Sequence, residues 1–251
     1  MAQDLKNIFK NRKYDLIFSI GQACSCTEVL RKAHLQFYSY PFDWLFGSNF
    51  IDRIKMLSNN MKNFIDKDDL EYSYEEISIS CNAYHNKRTD ITFNHDFKKN
   101  LSFNEAYKEV SEKYKRRINR LYKQIEQSEK ILAVYLQRPN ENSVINENEL
   151  IDGLNILEEK FGKNKVFLLY LYCDPNFNFK NKQINLLNDK IMIINFDYSA
   201  HDKNVPIKPN YRALNKIFNK FKISNKFLNS KNRRARFIYL IKIFFKGDLW
   251  K

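Results

Sequence analysis

Two thiols close the stretch "FSIGQACSC" (residues 18–26), and their placement is the first feature of this chain that suggests chemistry. The residues leading into them, "YDLIFSIG" (14–21), form a short apolar run stopped by Gly21, the pattern of a buried strand. The residues that follow, "CTEVLRKAHL" (26–35), read as a helix, with Ser25 or Thr27 as its cap and Glu28 well placed in its first turn. Where a parallel strand feeds a helix, backbone N–H groups point outward and the helix dipole favours an anion. A thiol held there ionises near neutral pH and becomes a nucleophile. The same N–H groups, from Gln22 to Ser25, suit a tetrahedral oxyanion. Cys24 lies in the turn and fits the nucleophile's position, whereas Cys26 is expected inside the first helical turn, facing the core. The competing reading makes both cysteines small apolar fillers, the usual role of a free thiol.

Other chemistry-bearing groups are scattered. In "KYKRRINR" (113–120), Arg116 and Arg120 are expected on one helical face, with Arg117 pointing elsewhere. Such a pair suits a substrate phosphate or carboxylate if the face borders a cleft, and is otherwise a solvated helix side. His201 in "FDYSAHDKN" follows a strand end four residues after Asp197 and stands as a rival general base. His34 reads as a helix-end or surface residue and His85 as a loop residue. The cysteines at 24, 26, 81 and 173 lack the paired spacing of a zinc site and are too few for a disulfide framework, so no metal is expected.

These groups need a frame. "ILAVYL" (131–136), "KVFLLYLYC" (165–173) and "KIMIINFD" (190–197) are three further apolar strands. Between them lie helical patterns at 49–65, 104–130 and 146–162, the last closed by Gly162. "YSYPFDWLFG" (38–47), broken by Pro41, reads as a packed aromatic loop, "DKDDLEYS" (66–73) as an acidic turn, and 88–97 as a strand within the ambiguous stretch 75–98. Buried strands alternating with helices imply an α/β three-layer sandwich with a mostly parallel, Rossmann-like or SGNH-like sheet. Ligands in such sheets bind beyond the carboxyl ends of strands, where "GQACSC" falls.

Four blocks in order carry a family resemblance: "SIGQACSC-TEVLRK", "YSYPFDWL", "NHDF" and "VSEKYKRRINRLYKQI". Together they resemble the bacterial DUF1796 family, described as papain-like cysteine peptidases, over roughly residues 14 to 136. The resemblance implies Cys24 as nucleophile and His95 as its base. Asp43 of "PFDW" and Asp96 of "HDF" both match family blocks as the third member. Asp43 ranks ahead, because a side chain next to His95 in a strand points the opposite way. Gln22, Trp44, Asp96, Arg116 and Arg120 are then expected to contact substrate; alternatively Phe42 and Trp44 only pack a loop. The strand–turn placement of Cys24 is closer to SGNH-type or GSCFA-type esterases than to papain. The family's frequent association with surface-polysaccharide genes implies an acylated glycan, or a peptide, as substrate, with acyl-CoA as co-substrate if the reaction is a transfer and no other cofactor.

Composition frames the whole. With 251 residues, 43% hydrophobic, the chain has enough for one sizeable core. The formal net charge of +14 is concentrated: residues 208–251 hold 13 Lys and Arg against the single acid Asp248. We therefore expect a nearly neutral α/β domain over 1–207 and a basic amphipathic helical extension over 208–251. The extension's bulky apolar residues suit an anionic membrane surface, while no binding motif accompanies the charge to point to nucleic acid. No apolar leader follows Met1 and no run reaches the ~20 residues of a membrane span, which points to a cytoplasmic protein, peripheral at the inner membrane face. Two other classes stay open: a non-catalytic glycan- or membrane-associated binding protein, and a glycosyltransferase-like enzyme using the arginine cluster on a nucleotide-sugar phosphate, which would need a DxD-type metal site that "DKDD" (66–69), better suited to a solvated turn, only resembles.

Overall fold

Apolar residues in a strand covered on both faces divide between two cores, and the strands of this chain do so residue by residue. In a computed structural model, which describes residues 9, 11–76, 80–137, 144–174, 184–197 and 217–246, β2 (Leu16–Ser19) pairs in parallel with β7 (Ile131–Leu136), and β7 with β8 (Val166–Asp174). β8 pairs in parallel with β10 (Ile191–Asp197), whose other edge carries the short antiparallel β9 (Ile184–Leu186). Leu16, Phe18, Ile131, Ala133, Tyr135, Leu168 and Tyr170 enter one core, whereas Ile17, Leu132, Val134, Leu169, Leu171, Met192 and Ile194 enter the other.

Helix α1 (Cys24–Lys32) covers the second core through Cys26, Val29 and Leu30. Helices α2 (Phe50–Ser58), α3 (Phe103–Gln127) and α4 (Glu147–Phe161) cover the first. Capping boxes start α3 at Ser102 and α4 at Asn146, and Asn49 caps α2. The sheet is mixed rather than wholly parallel. Its parallel strands also follow chain order across the sheet, without the reversal that defines a doubly wound, Rossmann-like arrangement.

A second, antiparallel sheet was not foreseen. Its order is β3 (Phe46–Gly47), β6 (Ile91–Lys98), β5 (Cys81–Asn86), β4 (Leu70–Glu76). The acidic turn is confined to a short 3-10 turn, Lys67–Asp69, where Asp66 caps Asp68 and Asp69 pairs with Arg88; "LEYSYEE" beyond it is strand. Helix α2 stops at Ser58, short of the expected 65, because Asn60, Met61 and Asn63 take left-handed backbone conformations.

The C-terminal region is partly integrated with the body. Ile217, Phe218 and Phe221 are buried in the second core, and β11 (Lys222–Ile223) pairs in parallel with β1 (Lys13–Tyr14). Helix α5 (Ser230–Lys246) follows. The helix expected over 210–227 does not hold in its described part: the chain is helical only at 217–218, turns at 219–220 and enters β11 at Lys222, while residues 210–216, the expected boundary at 207/208 and His201 lie outside the described residues.

Candidate active site

The turn between β2 and α1 is built by close approach. Ile20 N–H donates to Val134 O at 2.9 Å, continuing the β2–β7 ladder, and Gly21 then passes between β7 and α1. A Cβ at Gly21 would lie 2.6 Å from Cys26 Cβ and 3.2 Å from the Leu136 nitrogen, so only glycine fits. Cys24 is the first residue of α1. The cap is Ala23, in extended conformation, whose side chain offers no acceptor to the helix's first N–H groups. This differs from the expected Ser25 or Thr27 cap: both lie inside the helix, and Thr27 Oγ1 donates instead to Asp43 Oδ1 at 2.7 Å. The N-terminal end of α1 thus presents the positive end of the helix dipole, with no acid in the first turn.

The two thiols differ sharply. Cys24 is partly exposed. Cys26 is buried, its Sγ donating to Val134 O at 3.4 Å, and burial pushes its thiol up to about 12. Cys26 is therefore a core residue, as its position in the helix implied.

Asp43 is a fully buried hub. Its Oδ1 accepts from Thr27, and its Oδ2 accepts from Gln36 Nε2 at 2.7 Å and from Tyr40 N–H at 2.9 Å, with Arg31 Nη2 3.7 Å away. Burial raises its pKa, while the Tyr40, Thr27 and Gln36 donors and the Arg31 charge pull the other way. These contacts occupy the carboxylate, and His95 is not among its partners. Cys24, Thr27, Glu28 and Arg31 fall on one stripe of α1, so the "PFDW" turn is fastened to the face that begins with Cys24. Trp44 follows at φ 68°, and the Arg31 guanidinium lies 5.7 Å from its ring centroid.

His95 and Asp96 part company on β6. Asp96 turns inward, where Lys113 and the Tyr114 hydroxyl (2.7 Å) bind its two oxygens and tie the strand to α3. His95 turns outward and is exposed, its ring 6.5 Å from that of Phe46 on β3. Asp96 therefore serves the β6–α3 contact in this structure.

Among the α3 arginines, Arg117 packs against the body where Arg116 was expected to border a cleft. Arg116 is exposed, while Arg117 packs 5.1 Å from the Tyr114 ring with Nη1 buried and unpartnered. Arg120 Nη1 donates to Ser39 O at 3.0 Å, and Arg31 Nη2 donates to Ser39 Oγ at 2.7 Å, so two guanidinium groups meet on the same loop residue.

A cleft of about 400 Å³ opens at the carboxyl ends of β2 and β7, lined by Gln22, Asn49, Phe50, Tyr135, Gln137 and Glu149 among others. A larger hollow, of about 720 Å³ around Tyr122, Lys123, Phe161 and Lys165, lies at the opposite end of the strands. Beside the first cleft is a residue that sequence reasoning missed. Arg53 is fully buried; its Nη1 donates to Gly21 O at 2.6 Å, and its Nε and Nη2 donate to Gly47 O at 3.2 and 2.7 Å. It brings a positive charge to the turn that precedes Cys24 and fastens that turn to β3. A legible signal existed: with Phe50, Ile54 and Leu57 it shares the apolar face of α2, where an arginine needs internal acceptors. Gln36, which also donates to Tyr38 O and accepts from Ser19 N–H, had no comparable signal.

No curated protein and no solved structure matches the chain. A family model described as "Putative papain-like cysteine peptidase (DUF1796)" matches residues 15–166, from β2 to the start of β8, and the chain belongs to this DUF1796 family.

Proposed function

We propose that the protein is a cysteine-dependent hydrolase or acyltransferase with Cys24 as its nucleophile. The observation that carries the reading is the position of Cys24: partly exposed, first in a helix capped only by Ala23, in the turn after a parallel strand. The Cys24 thiolate attacks an acyl carbonyl, and the N–H groups from Gln22 to Ser25 receive the oxyanion. His95 serves as base. Its imidazolium protonates the departing alkoxide or amine, leaving an acyl thioester on Cys24. Water, or a second hydroxyl in a transfer, then attacks the thioester, gives its proton to His95 and releases the thiolate. The cleft lined by Gln22, Phe50, Tyr135 and Gln137 is assigned to the substrate, an acylated glycan or a peptide. Acyl-CoA is the donor in the transferase form.

Alkylation mapping with iodoacetamide across pH 5–9 tests this. Cys24 should react well below the ~8.5 of an ordinary thiol, and His95→Ala should move the midpoint upward. A Cys24 that reacts only above ~8.5 removes the nucleophile. A second reading draws on Asp43, whose carboxylate is engaged away from His95: a glycan-binding module that keeps the fold without the chemistry. Retention of biological function in Cys24→Ala would select it.

A further inference from the structure

Helix α5 is inside out. The positions turned to the body are Asn232, Ala235, Arg236 and Tyr239, spaced as one helical stripe. Arg236 is buried and donates from Nη1 to His34 O, Tyr239 stacks on the His34 ring at 4.4 Å, and the Tyr239 hydroxyl meets Asn219 Oδ1. The outward face carries Phe237, Ile238, Leu240 and Ile241, with 64%, 42%, 46% and 38% of their surfaces exposed. Of the seven exposed large hydrophobic side chains among the described residues, these four fall within five consecutive positions. A helix held by its polar stripe while presenting its apolar stripe needs a partner for the latter.

Charge selects the partner. Lys231, Arg233, Arg234 and Lys242 are exposed on the same helix, and residues 230–246 contain no acid. A second copy of this chain, which carries +14, would set like charge against like across the contact. An anionic lipid surface satisfies both features, receiving the aromatic and aliphatic side chains below the headgroups and the cations among them. Among the described residues no helix is long and apolar enough to cross a membrane, so the contact is with the surface. We propose that α5 is an interfacial anchor for anionic membranes, with Phe237, Ile238, Leu240 and Ile241 inserted and Arg234 and Lys242 on the headgroups. This is independent of the reading of Cys24.

The test is co-sedimentation of the full chain with phosphatidylglycerol–phosphatidylcholine vesicles and with pure phosphatidylcholine vesicles. Binding should require the anionic lipid. Ile238→Ser with Ile241→Ser should weaken it at least about tenfold, since two aliphatic side chains leave the interface. Arg234→Gln with Lys242→Gln should weaken it about 25-fold, at about fivefold per charge, and wild-type binding should fall with added salt. Arg233 is left intact because its Nε donates to Leu228 O at the start of the helix. Phe237→Trp gives a second readout: its emission should shift to the blue on anionic vesicles. Far-UV circular dichroism confirms that the variants are folded. The proposal is overturned if the serine pair binds as tightly as the unmodified chain, if neutral vesicles bind equally well, or if no vesicle binds. It is equally overturned if the chain alone sediments as a dimer that the serine pair dissociates, because the apolar face then belongs to a second copy.

Discussion

Replacing Asp43 separates what its oxygens do from what its charge does. In Asp43→Ala, Thr27 Oγ1, Gln36 Nε2 and the Tyr40 N–H lose their acceptor in a site with no measurable solvent exposure. Stranded buried donors cost about 1–3 kcal/mol each, less where a hydroxyl can turn to another acceptor, so a loss of about 3–5 kcal/mol is expected. Asp43→Asn is different. Its amide oxygen, placed where Oδ2 lies, keeps both Gln36 and Tyr40, and its NH2 group then faces Thr27 Oγ1, which rotates to accept. Only the charge assistance and the 3.7 Å attraction to Arg31 are lost, at about 1 kcal/mol. Urea or thermal unfolding reads both numbers, and the alanine variant should melt about 10 °C lower. Equal losses in the two variants, or a loss below about 1 kcal/mol in Asp43→Ala, would refute the hub argument.

Two further predictions rest on equally local features. Gly21→Ala forces a methyl against Cys26 Cβ and the Leu136 backbone, and should destabilise the fold by about 2–3 kcal/mol in denaturant unfolding. His34 is held below its ordinary pKa by burial and then by the Arg236 charge, so the folded state favours the neutral ring. Between that depressed value and 6.5 the unfolded chain binds more protons. The stability attached to His34 is therefore complete above pH 6.5 and is lost as pH falls through the native value. Amide protection in α5, taken relative to the intrinsic exchange rate at each pH, should fall on acidification, and His34→Gln should remove that dependence.

The apolar strands and their helices were legible because periodicity and punctuation agreed. "ILAVYL" is β7 without adjustment, and Gly162 closes α4. The antiparallel sheet was hidden because "LEYSYEE" is polar and largely exposed, while "CNAYHN" buries only the small Cys81 and Ala83 and the polar Asn86, so neither segment shows an apolar strand pattern. For the same reason β9, three residues on an edge, left no mark. At the site, the contrast between Cys24 and Cys26 followed from helix phase alone. The partners of Asp43 did not, since Gln36 and Thr27 meet it through a tertiary turn that no spacing rule encodes. On α3 the apolar face through Val110, Tyr114, Leu121 and Ile125 follows from spacing, but which arginine borders it does not: Arg117 packs over the Tyr114 ring while Arg116 is exposed.

β2 pairs with β7 in a register joining Leu16 to Ile131, and β7 is its only neighbour in that sheet among the described residues. During vectorial synthesis the antiparallel sheet, spanning residues 46–98, leaves the ribosome long before Ile131 does. The segment bearing Cys24 must then wait, its greasy edge unzipped, while more than half of the polypeptide is made. Its capture closes a long loop late in assembly. Truncated or stalled nascent chains should thus display an aggregation-prone ribbon at their amino end, and productive maturation should lean on holdase chaperones.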